Sequence, residues 1–254
     1  MDENFEYRIF GDDIQVLEID LDPLKTVRAE TGAMLYMDDG IEMQTGMGAD
    51  GIFSGFKRIV TGDSFFITSF VNGSPDLKKK IAFAAPYPGK IIPMDLNLLG
   101  GEMLCQKDSF LCSAKGVEIE IAFTKRIGAG FFGGEGFILQ RITGEAMAFV
   151  HSGGAIIERD LKEGESIRID TGCLVAMQPT VEFDIQFIGG IKNALFGGEG
   201  LFLAKLTGPG KIFLQSIPFS RMADRMVSAS SRYGGKEEST GLGGVLGSLI
   251  SGKQ

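Results

Sequence analysis

The chain reads as an all-β protein, a β-sandwich or double-stranded β-helix-like fold made of three diverged copies of one unit and ended by a short helix. Three observations predict it. Two short marker motifs recur together three times, apolar and polar residues alternate strictly around them, and turn signals return about every eight to twelve residues, the spacing of sandwiches and barrels.

The repeat is clearest in the pair Phe132-Gly133-Gly134-Glu135-Gly136-Phe137-Ile138-Leu139 and Phe196-Gly197-Gly198-Glu199-Gly200-Leu201-Phe202-Leu203. The first runs on to Ile142-Thr143-Gly144 and a strand from Met147 to His151, the second to Leu206-Thr207-Gly208 and a strand from Lys211 to Gln215. A fainter copy is Val60-Thr61-Gly62, followed by Phe65 to Ser69. Upstream of each stands an acidic marker: Glu30-Thr31-Gly32, Asp108-Ser109-Phe110 and Asp170-Thr171-Gly172. The Thr-Gly markers follow at Thr61, Thr143 and Thr207, which is 31, 35 and 37 residues further on. Self-similarity at a fixed period points to stacked copies of one supersecondary unit.

Between the markers the period is two. Glu118-Ile119-Glu120-Ile121-Ala122-Phe123, Ser166-Ile167-Arg168-Ile169-Asp170 and Val181-Glu182-Phe183-Asp184-Ile185-Gln186-Phe187 each alternate. That pattern gives strands with one face in a core and one in water. Asp38-Asp39-Gly40, Asn72-Gly73 and Glu163-Gly164 supply turns.

The β pattern stops near Pro218. Phe219, Met222, Met226, Ala229 and Tyr233 then follow helical spacing, with Ser220 as the expected N-cap and Gly234 as the stop. The expected organisation is a three-unit β domain over 1–218 (units 1–85, 86–155 and 156–218), an amphipathic helix over 219–233 and a flexible Gly-rich tail over 234–254.

Composition removes several functions. A net charge of −8 opposes nucleic acid and anionic lipid, because both need clustered Lys and Arg. The one basic cluster, Lys78-Lys79-Lys80 beside Asp76, reads as a solvated loop or strand edge. Cys105, Cys112 and Cys173 form no Cys-x-x-Cys pair, so neither a disulfide framework nor a zinc site is indicated, and a reducing compartment fits. The start of the sequence, Met1-Asp2-Glu3-Asn4, does not read as a secretory or mitochondrial leader. No run approaches the ~18 apolar residues of a membrane span. The expected location is cytoplasmic.

Catalytic chemistry is poorly supplied. Gly128-Ala129-Gly130-Phe131-Phe132-Gly133 has the glycine spacing of a dinucleotide fingerprint, but a strand rather than a helix should follow it, so no helix N-terminus meets a pyrophosphate. His151 is the single histidine, too few for the usual zinc or iron sites. In the repeat alignment it matches Ser69 and Gln215, which makes it a polar strand-edge residue. A Ser-His-Asp or Cys-His arrangement would need that same side chain. The most noticeable carboxylates, Glu135 and Glu199, lie in matching Gly-Gly-Glu-Gly loops beside Phe131, Phe132 and Phe196. These loops are the candidate ligand or interface positions. No catalytic residue, cofactor or metal is assigned.

The Thr-Gly markers, the Phe-Gly-Gly-Glu-Gly loops and the ending Ile217-Pro218-Phe219-Ser220-Arg221-Met222-Ala223-Asp224-Arg225 together resemble an uncharacterised family. Its fold is like that of the tryptophan RNA-binding attenuation protein (TRAP-like), and it includes mitochondrial biogenesis relatives named for altered inheritance of mitochondria. The resemblance covers about residues 5 to 233. It implies a sandwich of pseudo-threefold units, often assembled as a trimer, and a link to the organisation of membranes or complexes. Fold alone does not carry the RNA-binding function. The expected role is therefore a non-catalytic oligomeric scaffold or interaction protein. A small-ligand or carbohydrate-binding module is the alternative, and RNA binding stands behind both.

Overall fold

The structure is a computed structural model that describes residues 5–44, 67–125, 137–187 and 202–234. After β1 (Glu6–Phe10) the described chain lays down three successive sets of six strands. The first set is β2 (Val16–Leu21), β3 (Thr26–Glu30), β4 (Met34–Met37), β5 (Ile41–Gln44), β6 (Ile67–Asn72) and β7 (Lys79–Ala84). The second is β8 (Gly89–Asp95), β9 (Glu102–Gln106), β10 (Phe110–Ala114), β11 (Glu118–Lys125), β12 (Phe137–Thr143) and β13 (Met147–Gly153). The third is β14 (Ile156–Leu161), β15 (Ser166–Asp170), β16 (Leu174–Met177), β17 (Glu182–Phe187), β18 (Phe202–Thr207) and β19 (Gly210–Gln215). The alternating stretches named above are β11, β15 and β17. The turn signals Asp39-Gly40 and Glu163-Gly164 bend the chain into β5 and towards β15, with Gly40 and Gly164 at φ +90° and +74°, which glycine adopts without the Cβ clash of other residues.

The strands pair antiparallel in the same way in each set. The last strand lies between the first and third: β2–β7–β4, β8–β13–β10 and β14–β19–β16. The fifth lies between the second and fourth: β3–β6–β5, β9–β12–β11 and β15–β18–β17. The third strand of each set bulges at one place, between Met34 and Tyr36, Phe110 and Cys112, and Leu174 and Ala176.

Two further pairings weld the sets together. β3 pairs with β10, and β9 pairs with β16, so half of one set continues into half of the next as a six-stranded sheet. Four sheets result, in the orders β1-β2-β7-β4, β5-β6-β3-β10-β13-β8, β11-β12-β9-β16-β19-β14 and β15-β18-β17. Three apolar cores lie between them. Leu17, Ile19, Ile81 and Phe83 of the first sheet meet Val27, Phe70 and Phe149 of the second. Met94, Phe110 and Val150 of the second meet Met103, Ile142 and Phe213 of the third. Leu139, Leu174 and Ile212 of the third meet Ala204 and Leu206 of the fourth. The arrangement is a stack of four β layers. Along β13, Met147 and Phe149 face one core while Ala148 and Val150 face the next. The two inner sheets are buried on both faces there, so their strands read as apolar runs rather than alternating ones. Sandwich packing is present as expected, with each inner sheet shared between two cores.

The pairing differs from the sequence alignment in the first set. Thr143 and Thr207 end the fifth strands of their sets, opposite Glu102 and Ser166, and Val71 holds that position opposite Thr26. Thr61 lies outside the described residues. Ser69 is on a fifth strand, β6, whereas His151 and Gln215 are on the last strands β13 and β19. The marker match failed because Val71-Asn72-Gly73 does not preserve the Thr-Gly signature.

The chain divides into two compact units, Met1–Pro218 and Phe219–Gln254. In the second, α1 (Phe219–Gly234) begins one residue before the expected N-cap, so Ser220 lies inside its first turn, and Gly234 is its last residue. Among the described residues no helix is long and apolar enough to cross a membrane.

Candidate functional site

At the first weld the acids that lead into the third strands of the first two sets come close together, and the carboxyl of Glu30 is strongly perturbed. Glu30 ends β3 and Asp108 sits in the short 3-10 turn before β10. Burial first, and then the nearby Asp108, raise the Glu30 carboxyl from 4.5 to about 7, against the opposing pull of Lys107. Tyr87, in the link between β7 and β8, donates its hydroxyl to the Asp108 carbonyl at 3.5 Å. Burial, with Asp108 and Glu30 close by, drives its phenol well above the ordinary value. The Tyr87 ring meets the His151 imidazole edge-on at 4.5 Å.

His151 is buried, and burial lowers its pKa from 6.5 to about 4, opposed by a hydrogen bond with the Tyr87 backbone. Its Nδ1 has no hydrogen-bond partner. A Cβ on Gly89 would stand 2.8 Å from His151 Nε2, so the bare glycine backbone is what admits the ring. A neutral imidazole of this kind is a weak base at physiological pH, and its ring is closed in by backbone.

Gln215 shows what this position does. It sits two residues beyond Phe213, which pairs with Ala176 in β16, just as His151 sits two beyond Phe149, which pairs with Cys112 in β10. Gln215 donates to the Gly172 carbonyl at 2.8 Å and accepts from the Gly153 amide at 2.8 Å. It stitches the third set to the second. His151 stands at the matching seam between the first set and the second and contacts the link that joins them. Both are polar residues that hold seams.

The second distinctive feature is the edge of the first sheet. The third strands of the other two sets are wholly buried, with Leu111 at 1% and Cys112, Val175 and Ala176 at 0% exposure. The matching residues of β4, Leu35 and Tyr36, are 55% and 44% exposed. Tyr36 donates its hydroxyl to Glu18, which also binds Lys80 at 3.0 Å and Arg8 at 2.8 Å. The Tyr36 hydroxyl first, then Lys80, hold the Glu18 carboxyl down at about 2.

The residues singled out from sequence, Phe131, Phe132, Glu135, Phe196 and Glu199, lie outside the described residues. Glu30 and Asp108 were visible only as repeat markers, and Tyr87 lies in a link that no motif covers. Leu35 and Tyr36 were hidden inside the marker run Glu30 to Leu35 and beyond it, where nothing separates a buried third strand from an exposed one. Cys105 and Cys112 are buried, and burial pushes both thiols well above their ordinary value, which makes them inert. Among the described residues no three His, Cys, Asp or Glu side chains are grouped to hold a metal.

Fold and site together describe a layered, all-antiparallel β protein with polar seams inside and an apolar strand edge outside. Residues 7–217 match the family model described as "Mitochondrial biogenesis AIM24", and the chain belongs to that family. It is 26% identical over 215 residues to an uncharacterised protein of Streptococcus pyogenes serotype M6, covering 82% of this chain and 84% of the relative. A crystal structure of a Streptococcus pyogenes protein shares the fold, with a TM-score of 0.70 at 23% identity, over 90% of this chain and 99% of the other.

Proposed function

We propose that this chain is a non-catalytic building block, a scaffold that works as a homo-oligomer, most simply a trimer, and that its role is to organise a larger complex. The exposed apolar strand β4 carries the reading. An open edge with two exposed large apolar side chains and no charge invites pairing. Its counterparts in the other two sets are buried by such pairing. The seam role of His151 supports a structural rather than a catalytic reading. Family membership supports an organising role, and the net charge of −8 supports protein rather than nucleic-acid partners.

Light scattering on the purified chain tests the assembly. The expected mass is three times 27.3 kDa across micromolar concentrations. A mass of one chain overturns the reading, and a dimer overturns only the stoichiometry. Generic RNA at physiological salt is expected not to bind below about micromolar concentration.

A further inference from the structure

The charge of the chain is unevenly spread. Residues 1–218 hold 30 Asp and Glu against 20 Lys and Arg, a net of −10. Residues 219–254 hold 3 acids against 5 bases, a net of +2. The basic excess lies in α1, whose sequence contains Arg221, Arg225 and Arg232 and a single acid, Asp224. The chain-wide balance of −8, which opposes anionic lipid, therefore does not describe this segment.

The helix is also two-sided. At 3.6 residues per turn, Phe219, Met222, Ala223, Met226, Val227 and Ala229 share one side of α1, an arc of about 160°. Asp224 falls on the opposite side, and Arg221 and Arg225, one turn apart, run along one border of the arc. Phe219, Met226 and Val227 are 46%, 63% and 65% exposed. Three large apolar side chains held in water on one side of a 16-residue helix mark an interaction surface.

We propose that α1 is a membrane-docking helix that lies flat in the surface of an anionic lipid bilayer. Its length of about 24 Å is that of an element lying in the interface, and its mixed composition rules out a span. Phe219, Met226 and Val227 enter the boundary between headgroups and acyl chains. Arg221 and Arg225 lay their stems along the border of the apolar arc and carry their guanidinium groups to the lipid phosphates, where the planar fork bonds two oxygens at once. A wide apolar side, a basic border and low overall hydrophobicity are the features of a helix that lies on a membrane.

Charge selects this partner over a second copy of the helix. The spacing of Phe219, Met222, Met226 and Ala229 would also suit a coiled-coil seam. The positions that flank such a seam are Ala223, Arg225, Ser230 and Arg232, which offer arginine and no acid to meet it. Two copies would set like charges beside each other, whereas a bilayer rich in phosphatidylglycerol supplies the missing anions. The proposal needs only one chain and does not rest on the assembly proposed above.

Co-sedimentation of the full chain with vesicles tests it. Binding is expected to vesicles of equal parts phosphatidylglycerol and phosphatidylcholine, and to fall as salt is raised. Replacing both arginines, Arg221→Gln with Arg225→Gln, should weaken that binding roughly thirty-fold, because each cation near an anionic surface contributes about five-fold. Met226→Glu should abolish it while the circular dichroism spectrum stays that of the wild type. No binding by the wild type, equal binding to phosphatidylcholine alone, or full binding by Met226→Glu each overturns the proposal. An environment-sensitive fluorophore supplies a second arm. It is attached at Met226→Cys or at Asp224→Cys, both in a Cys173→Ser chain, where Cys105 and Cys112 are buried. Vesicles should shift the emission at position 226 to the blue and leave that at 224 unchanged. Equal shifts at both positions contradict the flat orientation. An emission at 226 that is already blue before vesicles are added would mean that another segment or another copy covers this side, and the proposal fails.

Discussion

The weld between β3 and β10 and the open edges β4 and β15 are built from the same parts in different settings. In the weld, a second strand and a third strand bury each other, and Ala29 and Cys112 at its centre are shielded completely. At the open edge Tyr36, the match of Cys112, is 44% exposed. The difference teaches that the burial of a repeated strand is set by whether the next set follows on the same chain. The first and last sets lack one neighbour each, which leaves β4 and β15 at the ends of their sheets.

The largest effect expected on this contrast comes from Phe149. It pairs with Cys112 beside the weld, is fully buried, and meets Tyr7 edge-on at 4.9 Å. Phe149→Ala should lower folding stability by about 3–5 kcal/mol in urea titration. Leu35→Ala, at the exposed bulge of β4, should cost about 0.5 kcal/mol or less when the chain is monomeric. Comparable losses from the two would mean that β4 is already covered within one chain.

Exchanging matched residues is the next sharpest probe. Cys112→Tyr forces a ring into a filled weld and should cost about 1–3 kcal/mol. Tyr36→Cys removes one hydroxyl bond, to Glu18, and should cost no more than about 1 kcal/mol of folding stability. Equal and small effects in thermal melts would argue that the weld is loosely packed.

Titration probes the seam through two buried groups of opposite sense. The folded-state pKa of Glu30, about 7, lies above its free value of 4.5. Its contribution is therefore complete below pH 4.5 and is lost as pH rises to 7. His151 has the opposite sense: about 4 when folded against 6.5 when free, so its contribution is complete above pH 6.5 and is lost as pH falls to 4. Glu30→Gln should make the chain relatively more stable at pH 8 than at pH 4. His151→Gln, which installs the Gln215 side chain type at the earlier seam, should keep fold and assembly and remove the loss between pH 6.5 and 4. Stability–pH profiles unchanged by both variants would show that neither group is shielded as described.

The smallest effect is a matched pair of arginines. Arg28→Leu places at the first weld the residue type that Leu104 supplies at the second, and should cost about 1 kcal/mol of folding stability. Arg168→Leu, at the matching position of the sheet-end strand β15, should change folding stability by no more than about 0.5 kcal/mol. A loss from Arg168→Leu as large as that from Arg28→Leu would mean that β15 is already covered within one chain.

Much of the fold was legible because local rules governed it. β11, β15 and β17 alternate since each has a wet face, and Gly40 and Gly164 mark turns that need positive φ. The third strands were less legible. Leu174-Val175-Ala176-Met177 and Met34-Leu35-Tyr36-Met37 are equally apolar, yet one is buried and the other exposed. The seam cluster was hidden for another reason. Glu30, Tyr87, Asp108 and His151 are far apart along the chain, and nothing in their local sequence reports that a weld will crowd them.

The sequence by itself determined the all-β class, the strand-forming stretches, the terminal helix and the scarcity of catalytic groups, because periodicity, turn chemistry and composition act over a few residues. Only the tertiary structure decided which strands weld, which sheets are buried on both faces, and that β4 and β15 end their sheets on opposite outer layers. Those outcomes depend on pairing between residues some eighty positions apart, such as Arg28 with Ser113. Pairing over that distance is selected by the packing of whole layers, which no local pattern encodes.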